Sequence, residues 1–190
     1  MTLTREQALA LVHEYTASEP LRRHMYAVEL AMRAMAARLG GDPDAWGLVG
    51  LLHDFDYERF PNDAHSATEE HPSAGVRILA AKGLPAPMQR AILGHATYTG
   101  VPRDTPMAQA LFAVDELSGF LVACALVRPS RSLADLEVSS VKKKLKEKAF
   151  APGVNREEIG QAETNLDLSL DEFIGLSIEG LQEVAPDIGL

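Results

Sequence analysis

The sequence predicts an all-α protein, and three observations carry that reading. Apolar residues recur at three-and-four spacing through most of the chain. Helix-starting residues such as Thr4, Ser18, Asp42, Asn155 and Ser169, together with Gly and Pro breakers, divide that pattern into segments of helix length. No window shows the apolar–polar alternation of a half-buried strand, and no internal repeat is found.

The elements follow in order. Thr4-Arg5-Glu6-Gln7 has the form of a capping box, in which hydroxyl and amide satisfy each other's free N–H groups, and it opens a first helix running towards Tyr15. A second helix begins near Ser18 to Leu21 and ends at Gly40-Gly41, with Met25, Val28, Met32, Met35 and Leu39 as its buried stripe. A third follows Asp42-Pro43 and turns Ala45, Leu48, Val49 and Leu52 inward. Pro61-Asn62-Asp63 marks a loop, and Pro72 suits the first turn of a fourth helix that stops near Gly83. Pro85 and Pro87 precede a fifth, with Met88, Ala91 and Ile92 inward. Gly100 to Pro106 is rich in breakers, and a sixth helix runs from Met107 to Val127, halting before Pro129. Val141 to Lys148 reads as a short helix with a Lys-rich face. Asn155-Arg156-Glu157-Glu158 and Ser169-Leu170-Asp171-Glu172 then read as the starts of two more.

Composition narrows the function classes. A chain of 190 residues, 46% of them hydrophobic, forms one domain over 1–190 by default. A net charge of −9 argues against general nucleic-acid binding, which needs a basic face, but leaves room for a small anionic ligand on a local basic cluster. The lone Cys124 excludes an intrachain disulfide and a thiolate metal site. Met1 to Glu6 lacks a basic segment followed by an apolar run, and the longest apolar run, Phe120 to Val127, falls short of the ~20 residues of a membrane span. The expectation is a soluble cytoplasmic protein with no membrane association.

The histidines are the informative residues. His24, His53, His71 and His95 fall in four different predicted elements, each on or beside an apolar face. Asp54 follows His53 directly, and Asp115 sits in Leu111-Phe112-Ala113-Val114-Asp115 among residues expected to be buried. A buried carboxylate without a partner costs several kcal/mol, so Asp115 needs a cation, a donor cluster or a metal. Gly47 and Gly50 on the stripe of Asp54, and Ser118 and Gly119 one turn from Asp115, are expected to leave room beside the carboxylates. Any one inward histidine is more often an ordinary core residue, and His13 and His65 are read that way. Four with two aspartates are the imidazole–carboxylate mixture that suits Fe, Mn, Zn or Co.

The ordered set His24, His53-Asp54 and Asp115 resembles the HD superfamily of metal-dependent phosphohydrolases, whose most specific element is the adjacent His-Asp pair after an apolar helix, here Leu51-Leu52-His53-Asp54. His71-Pro72-Ser73-Ala74-Gly75 is similar to the His-Pro segment of the HD-GYP branch, and His95 with Gly100 and Pro102 to its later His-containing loop. The GYP tripeptide itself is absent, which speaks against a cyclic-dinucleotide phosphodiesterase. The resemblance implies an HD-type helical bundle with its metal-binding core over about 18–127 and a C-terminal helical extension over about 130–190. It also implies one or two divalent metals, with Mg added to the four above: one on His24, His53, Asp54 and Asp115, the second on His71 and His95, Asp54 bridging. Alarmone hydrolases of the superfamily carry acids near Asp56 and Glu58, so these two are expected to orient water or accept a proton, against a solvated loop with Arg59 as counter-charge.

Arg128, Arg131, Lys142, Lys143 and Lys144 form a basic cluster after the Asp115 helix. They are expected to hold substrate phosphates, Arg128 first among them, against the alternative of a solvated helix face. The leading reading is a hydrolase of a nucleotide or other small phosphate ester, with oligomerisation left open. A di-iron oxygenase of similar fold uses a comparable ligand set, and a non-catalytic nucleotide-binding module is the third reading.

Overall fold

Most of the helices begin where the sequence places an N-cap. In the computed structural model, which describes residues 3–188, α1 (Arg5–Tyr15) starts on a complete capping box. The Gln7 amide N–H donates to Thr4 Oγ1 at 3.2 Å, and Thr4 N–H to Gln7 Oε1 at 2.9 Å. Ser18 caps α2 (Glu19–Leu39), which ends at Gly40 in the left-handed region, φ +72°. Asp42 caps α3 (Pro43–Leu52). Then come α4 (Ser73–Ala81), α5 (Ala86–His95), a 3-10 turn at Thr97–Thr99, and α6 (Pro106–Leu126). Three more helices complete the order: α7 (Val138–Leu145), α8 (Arg156–Asn165) and α9 (Leu170–Ile188). No strand occurs among the described residues, as the periodicity requires. Met1, Thr2, Gly189 and Leu190, two of which belong to the segment read for a leader, lie outside the described residues.

α2 is the central helix, flanked by α3 and α9 and crossed by α6, which in turn packs on α5 and α8. Its Met25, Val28, Met32 and Met35 are fully buried. Two glycines set the spacing. A Cβ on Gly50 of α3 would stand 2.7 Å from the Val28 carbonyl oxygen, and one on Gly180 of α9 would stand 2.7 Å from that of Leu30. The expectation that Gly50 leaves room beside Asp54 is therefore corrected: the space is filled by the α2 backbone. Gly47 leaves no room either, but there a side chain fills the space: its Cβ would meet Arg33 Nε at 2.6 Å. Glu29, buried inside α2, is paired with Arg5 of α1 at 2.6 Å and Arg33 at 3.4 Å, which meets the requirement that a buried charge be compensated. By length and composition α6 could cross a membrane (mean hydropathy 1.5), but 61% of its most apolar stretch is buried in the bundle.

Two boundaries differ from the sequence reading. α7 covers Val138–Leu145 rather than continuing to Lys148. The chain turns after Leu145 because the Arg156 guanidinium collects the carbonyls of Leu145, Glu147, Phe150, Ala151 and Val154, drawing them out of helical register. His71 lies in the turn before α4, not within a helix, and Pro72 occupies the cap position.

Candidate metal centre

Five elements each deliver one or two side chains to a single place. His24 lies near the start of α2, and His53 caps the C-terminus of α3 with Asp54 next in the chain. His71 precedes α4, His95 is the last residue of α5, and Asp115 sits mid-way along α6. Each histidine but His24 arrives where a helix starts or stops, so its ring reaches across to neighbours on other elements.

The six side chains form two groups joined by one carboxylate. In the first, His24 Nε2 lies 3.3 Å from His53 Nε2 and 2.9 Å from Asp115 Oδ1, and His53 Nε2 lies 3.5 Å from the same oxygen. In the second, His71 Nε2 and His95 Nε2 face each other at 3.2 Å. Asp54 divides its two oxygens between them: Oδ2 stands 3.4 Å from His53 Nε2 and 3.9 Å from His24 Nε2, while Oδ1 stands 3.3 Å from His71 Nε2 and 3.4 Å from His95 Nε2. His53 is fully buried, whereas His24 and Asp115 keep 23% and 24% of their side chains exposed, so the centre opens on their side.

The donor chemistry of this set fits a divalent cation in each group. His53 Nδ1 points at the Gly50 carbonyl (2.7 Å), His95 Nδ1 at the Ile92 carbonyl (2.5 Å), and His71 Nδ1 at Asp56 Oδ1 (2.7 Å). Each Nδ1 therefore carries the donated proton, which leaves the lone pair of a neutral ring on Nε2. Lone pairs then converge on lone pairs and on carboxylate oxygens, an arrangement that repels itself until positive charge is placed among them. The titration of the site states the same demand. Burial opposes charge on His53, but the carboxylates of Asp54 and Asp115 outweigh it and hold its pKa well above the ordinary value. Burial likewise opposes ionisation of Asp54 and Asp115, yet the imidazoles, His53 foremost, hold both carboxyls well below the usual range.

Asp56 has a different part from the one read in the sequence. It is 1% exposed, and both its oxygens are taken, Oδ1 by His71 Nδ1 and Oδ2 by the Gly75 N–H at 2.6 Å. It cannot meet a substrate or a water, so its role is corrected to orienting His71. At the same time it caps α4, whose own N-cap Pro72 offers no side-chain acceptor. A Cβ on Gly75 would stand 2.5 Å from the Asp56 carboxyl carbon, which explains a glycine here. Glu58 is exposed and accepts the N–H groups of Ala17 and Ser18, both at 2.9 Å, tying the α1–α2 turn to the segment after Asp54. Arg59 is no counter-charge to Asp56 or Glu58; it donates to the Glu14 carbonyl and lies over the Tyr15 ring.

The basic cluster is not brought to the centre. Leu126 lies eleven residue steps along α6 from Asp115, a rise of ~16 Å, and Arg128 lies beyond it. Its guanidinium is engaged by Asp135 at 2.8 Å. Arg131 sits in the same turn, Lys142 pairs with Asp171, and Lys144 with Glu147. Arg128, Lys143 and Lys144 line a surface cavity of about 270 Å³ to which no His–Asp ligand contributes. The expectation that Arg128 holds substrate beside the metals is corrected by the helix length between them; Arg131, Lys143 and Lys144 share its end of α6, and Lys142 is paired with Asp171.

The sequence reading missed the other wall of the opening. Glu116, next to Asp115, accepts the Asn155 N–H at 2.9 Å, and Asn155 Nδ2 donates to Glu158 at 2.7 Å. The start of α8 is thereby fixed against α6 beside Asp115. Burial raises the Glu158 carboxyl above its ordinary value and the charge of Asp115 adds to this, while Asn155, Arg103 and His95 oppose it. Asn155 is visible in sequence only as a helix cap, which it also is. Tyr98, likewise unmarked in sequence, donates its hydroxyl to the His71 carbonyl at 2.5 Å.

Fold and centre together define an all-α protein with two adjoining His–Asp groups suited to divalent cations. Residues 21–119 match the family model of the HD domain, and the chain belongs to that family. It is thus a member of a superfamily of metal-dependent phosphohydrolases, whose domains bind divalent metals. The matched stretch contains all six converging side chains and ends before α7 to α9. No curated protein matches the chain, and no solved structure does.

Proposed function

We propose that the protein hydrolyses a small phosphate ester, a nucleotide being the leading class, with two divalent cations of the Fe, Mn, Zn, Co or Mg type. One observation carries the reading: the single carboxylate of Asp54 presents one oxygen to His24 and His53 and the other to His71 and His95. His24, His53, Asp54 and Asp115 would hold one cation, and Asp54, His71 and His95 the second. When bound, such a pair supplies an activated water and neutralises charge on the phosphoryl group. The chain's own part is orientation. The Gly50 and Ile92 carbonyls and Asp56 fix the rings of His53, His95 and His71, and Asn155 fixes Glu116 at the open side. The lone thiol offers no competing nucleophile: Cys124 is buried, and burial raises its pKa to about 11, so it stays protonated near neutral pH.

The test is elemental analysis of protein purified without chelator, followed by a panel of phosphorylated compounds. Two metals per chain and hydrolysis of at least one ester are expected, both lost in Asp54→Ala with helicity retained by circular dichroism. A fully loaded protein that hydrolyses none of the panel and, as its Fe(II) form, consumes oxygen would replace this reading with the oxygenase one.

A further inference from the structure

With Arg128 a helix-length away, the opening of the centre needs another cation to hold an anionic substrate, and the fold provides one. Arg103 lies in the segment between the 3-10 turn and α6. Its Nη1 donates to the Gly94 carbonyl at 2.8 Å, which places the guanidinium beside the residue preceding His95. Its Cζ stands 3.8 Å from the centroid of the Phe112 ring, and Phe112 is one turn before Asp115 and Glu116 on α6. Gln109 of α6 donates to the Arg103 carbonyl at 3.1 Å, so backbone and side chain are both held.

The group is also under-used. A guanidinium has five N–H donors in a fixed fork, and Gly94 takes one of them. Among the described residues Arg103 enters no ion pair, unlike Arg128, Arg33 or Arg90, whose forks are engaged by carboxylates. Its field does reach the opening, since Arg103, Asp115 and His95 all act on Glu158. A planar cation fixed on an aromatic face, with donors to spare, at the edge of a centre read as handling phosphate, matches the bidentate geometry of a phosphoryl or phosphate group. Capping the C-terminus of α5 accounts for the Gly94 bond but not for the stacking or the unspent donors.

We propose that Arg103 binds the phosphate oxygens of the substrate at the edge of the His71–His95 group. This rests on the hydrolase reading above and names the residue that holds the substrate's anionic end. The test titrates inorganic phosphate into the Mn2+-loaded protein by calorimetry, for the wild type, Arg103→Gln and Arg103→Lys, with metal content and thermal unfolding measured on each. Arg103→Gln retains a donor for Gly94 and part of the stem over Phe112 but carries no charge. It is expected to weaken phosphate binding about tenfold or more with metal content unchanged, and Arg103→Lys, which keeps the charge without the fork, to lose less. Should the Gln variant fail to fold, the Lys variant carries the comparison: weakened binding with metal retained supports the assignment, and unchanged binding overturns it. A wild type that binds no phosphate, an Arg103→Gln affinity equal to wild type, or phosphate and metal lost in step, as expected if Arg103 only positions His95, each overturns it as well. Hydrolysis of the same panel of phosphorylated compounds, p-nitrophenyl phosphate and nucleotides among them, measured alongside, separates the two ideas. Arg103-dependent phosphate binding without turnover overturns the hydrolase reading alone, and turnover with Arg103-independent binding overturns this inference alone.

Discussion

Replacing Asp56 by Asn tests whether a residue that touches no substrate decides the state of the centre. The wild-type carboxylate accepts from two donors, His71 Nδ1 at 2.7 Å and the Gly75 N–H at 2.6 Å, and is 1% exposed. An Asn side chain has one acceptor oxygen and one donor NH2, so one donor must lose its acceptor. If the oxygen stays with Gly75, the NH2 faces Nδ1, which forces the proton of His71 onto Nε2, the atom aimed at Asp54 and His95. If the oxygen stays with His71, two N–H groups meet at Gly75 and α4 loses its cap. The first choice keeps both bonds but spends the Nε2 lone pair that a metal would need, whereas the second leaves a buried donor unpaired, at a cost of about 1–3 kcal/mol. In that second case a chain of this size should unfold ~4–8 °C lower for a loss near 2 kcal/mol. Second-group metal affinity should fall about 10- to 100-fold, the range found when the partner of a ligating histidine is removed. Calorimetric metal titration and thermal unfolding of the metal-free form measure the two quantities separately. Wild-type metal affinity in an Asp56→Asn variant that is folded would refute the tautomer argument, whatever its melting temperature.

Three further outcomes are expected. Replacing His71 and His95 together by Ala should remove one metal per chain, leave the other on His24, His53, Asp54 and Asp115, and lower hydrolysis by orders of magnitude; a native protein that saturates at one metal would contradict this. In the metal-free protein, the raised pKa of His53 contributes stability that is fully present below ~6.5 and lost as pH rises through the higher folded value, while the depressed pKa values of Asp54 and Asp115 contribute stability present above ~3.9 and lost as pH falls. Melting temperature in chelator should therefore peak between those limits, and a rise that continues from pH 6 to 9 would count against the ion cluster. Cys124, with a thiol pKa of about 11, should react with iodoacetamide at pH 8 orders of magnitude more slowly than in denatured chain, and equal rates would show that the thiol is not buried as described.

Helix starts were legible in the sequence because capping is local. Thr4, Ser18, Asp42 and Asn155 each bond to backbone N–H groups two or three residues away, and such chemistry needs no knowledge of the fold. The six converging side chains were legible for a related reason: polar residues recurring at inward positions of apolar helices require a partner, and the resemblance to HD proteins ordered them. What the sequence could not contain is direction. Asp56 and Glu58 are two residues apart and alike in chemistry, yet one ends fully enclosed against His71 and Gly75 while the other caps the α1–α2 turn at the surface. Arg128 follows the Asp115 helix in sequence but stands at its far end, and Arg103, twelve residues before Asp115, is folded back onto Phe112 and Gly94. Local chemistry along the chain set the helices, the kinds of side chain that converge and the demand for positive charge among them. The division of Asp54 between two groups, the tautomers set by Gly50, Ile92 and Asp56, and the choice of which arginine reaches the opening were decided only by the packing of α2 through α6. Those depend on distances between residues far apart in the chain, and no local rule of spacing or propensity encodes them.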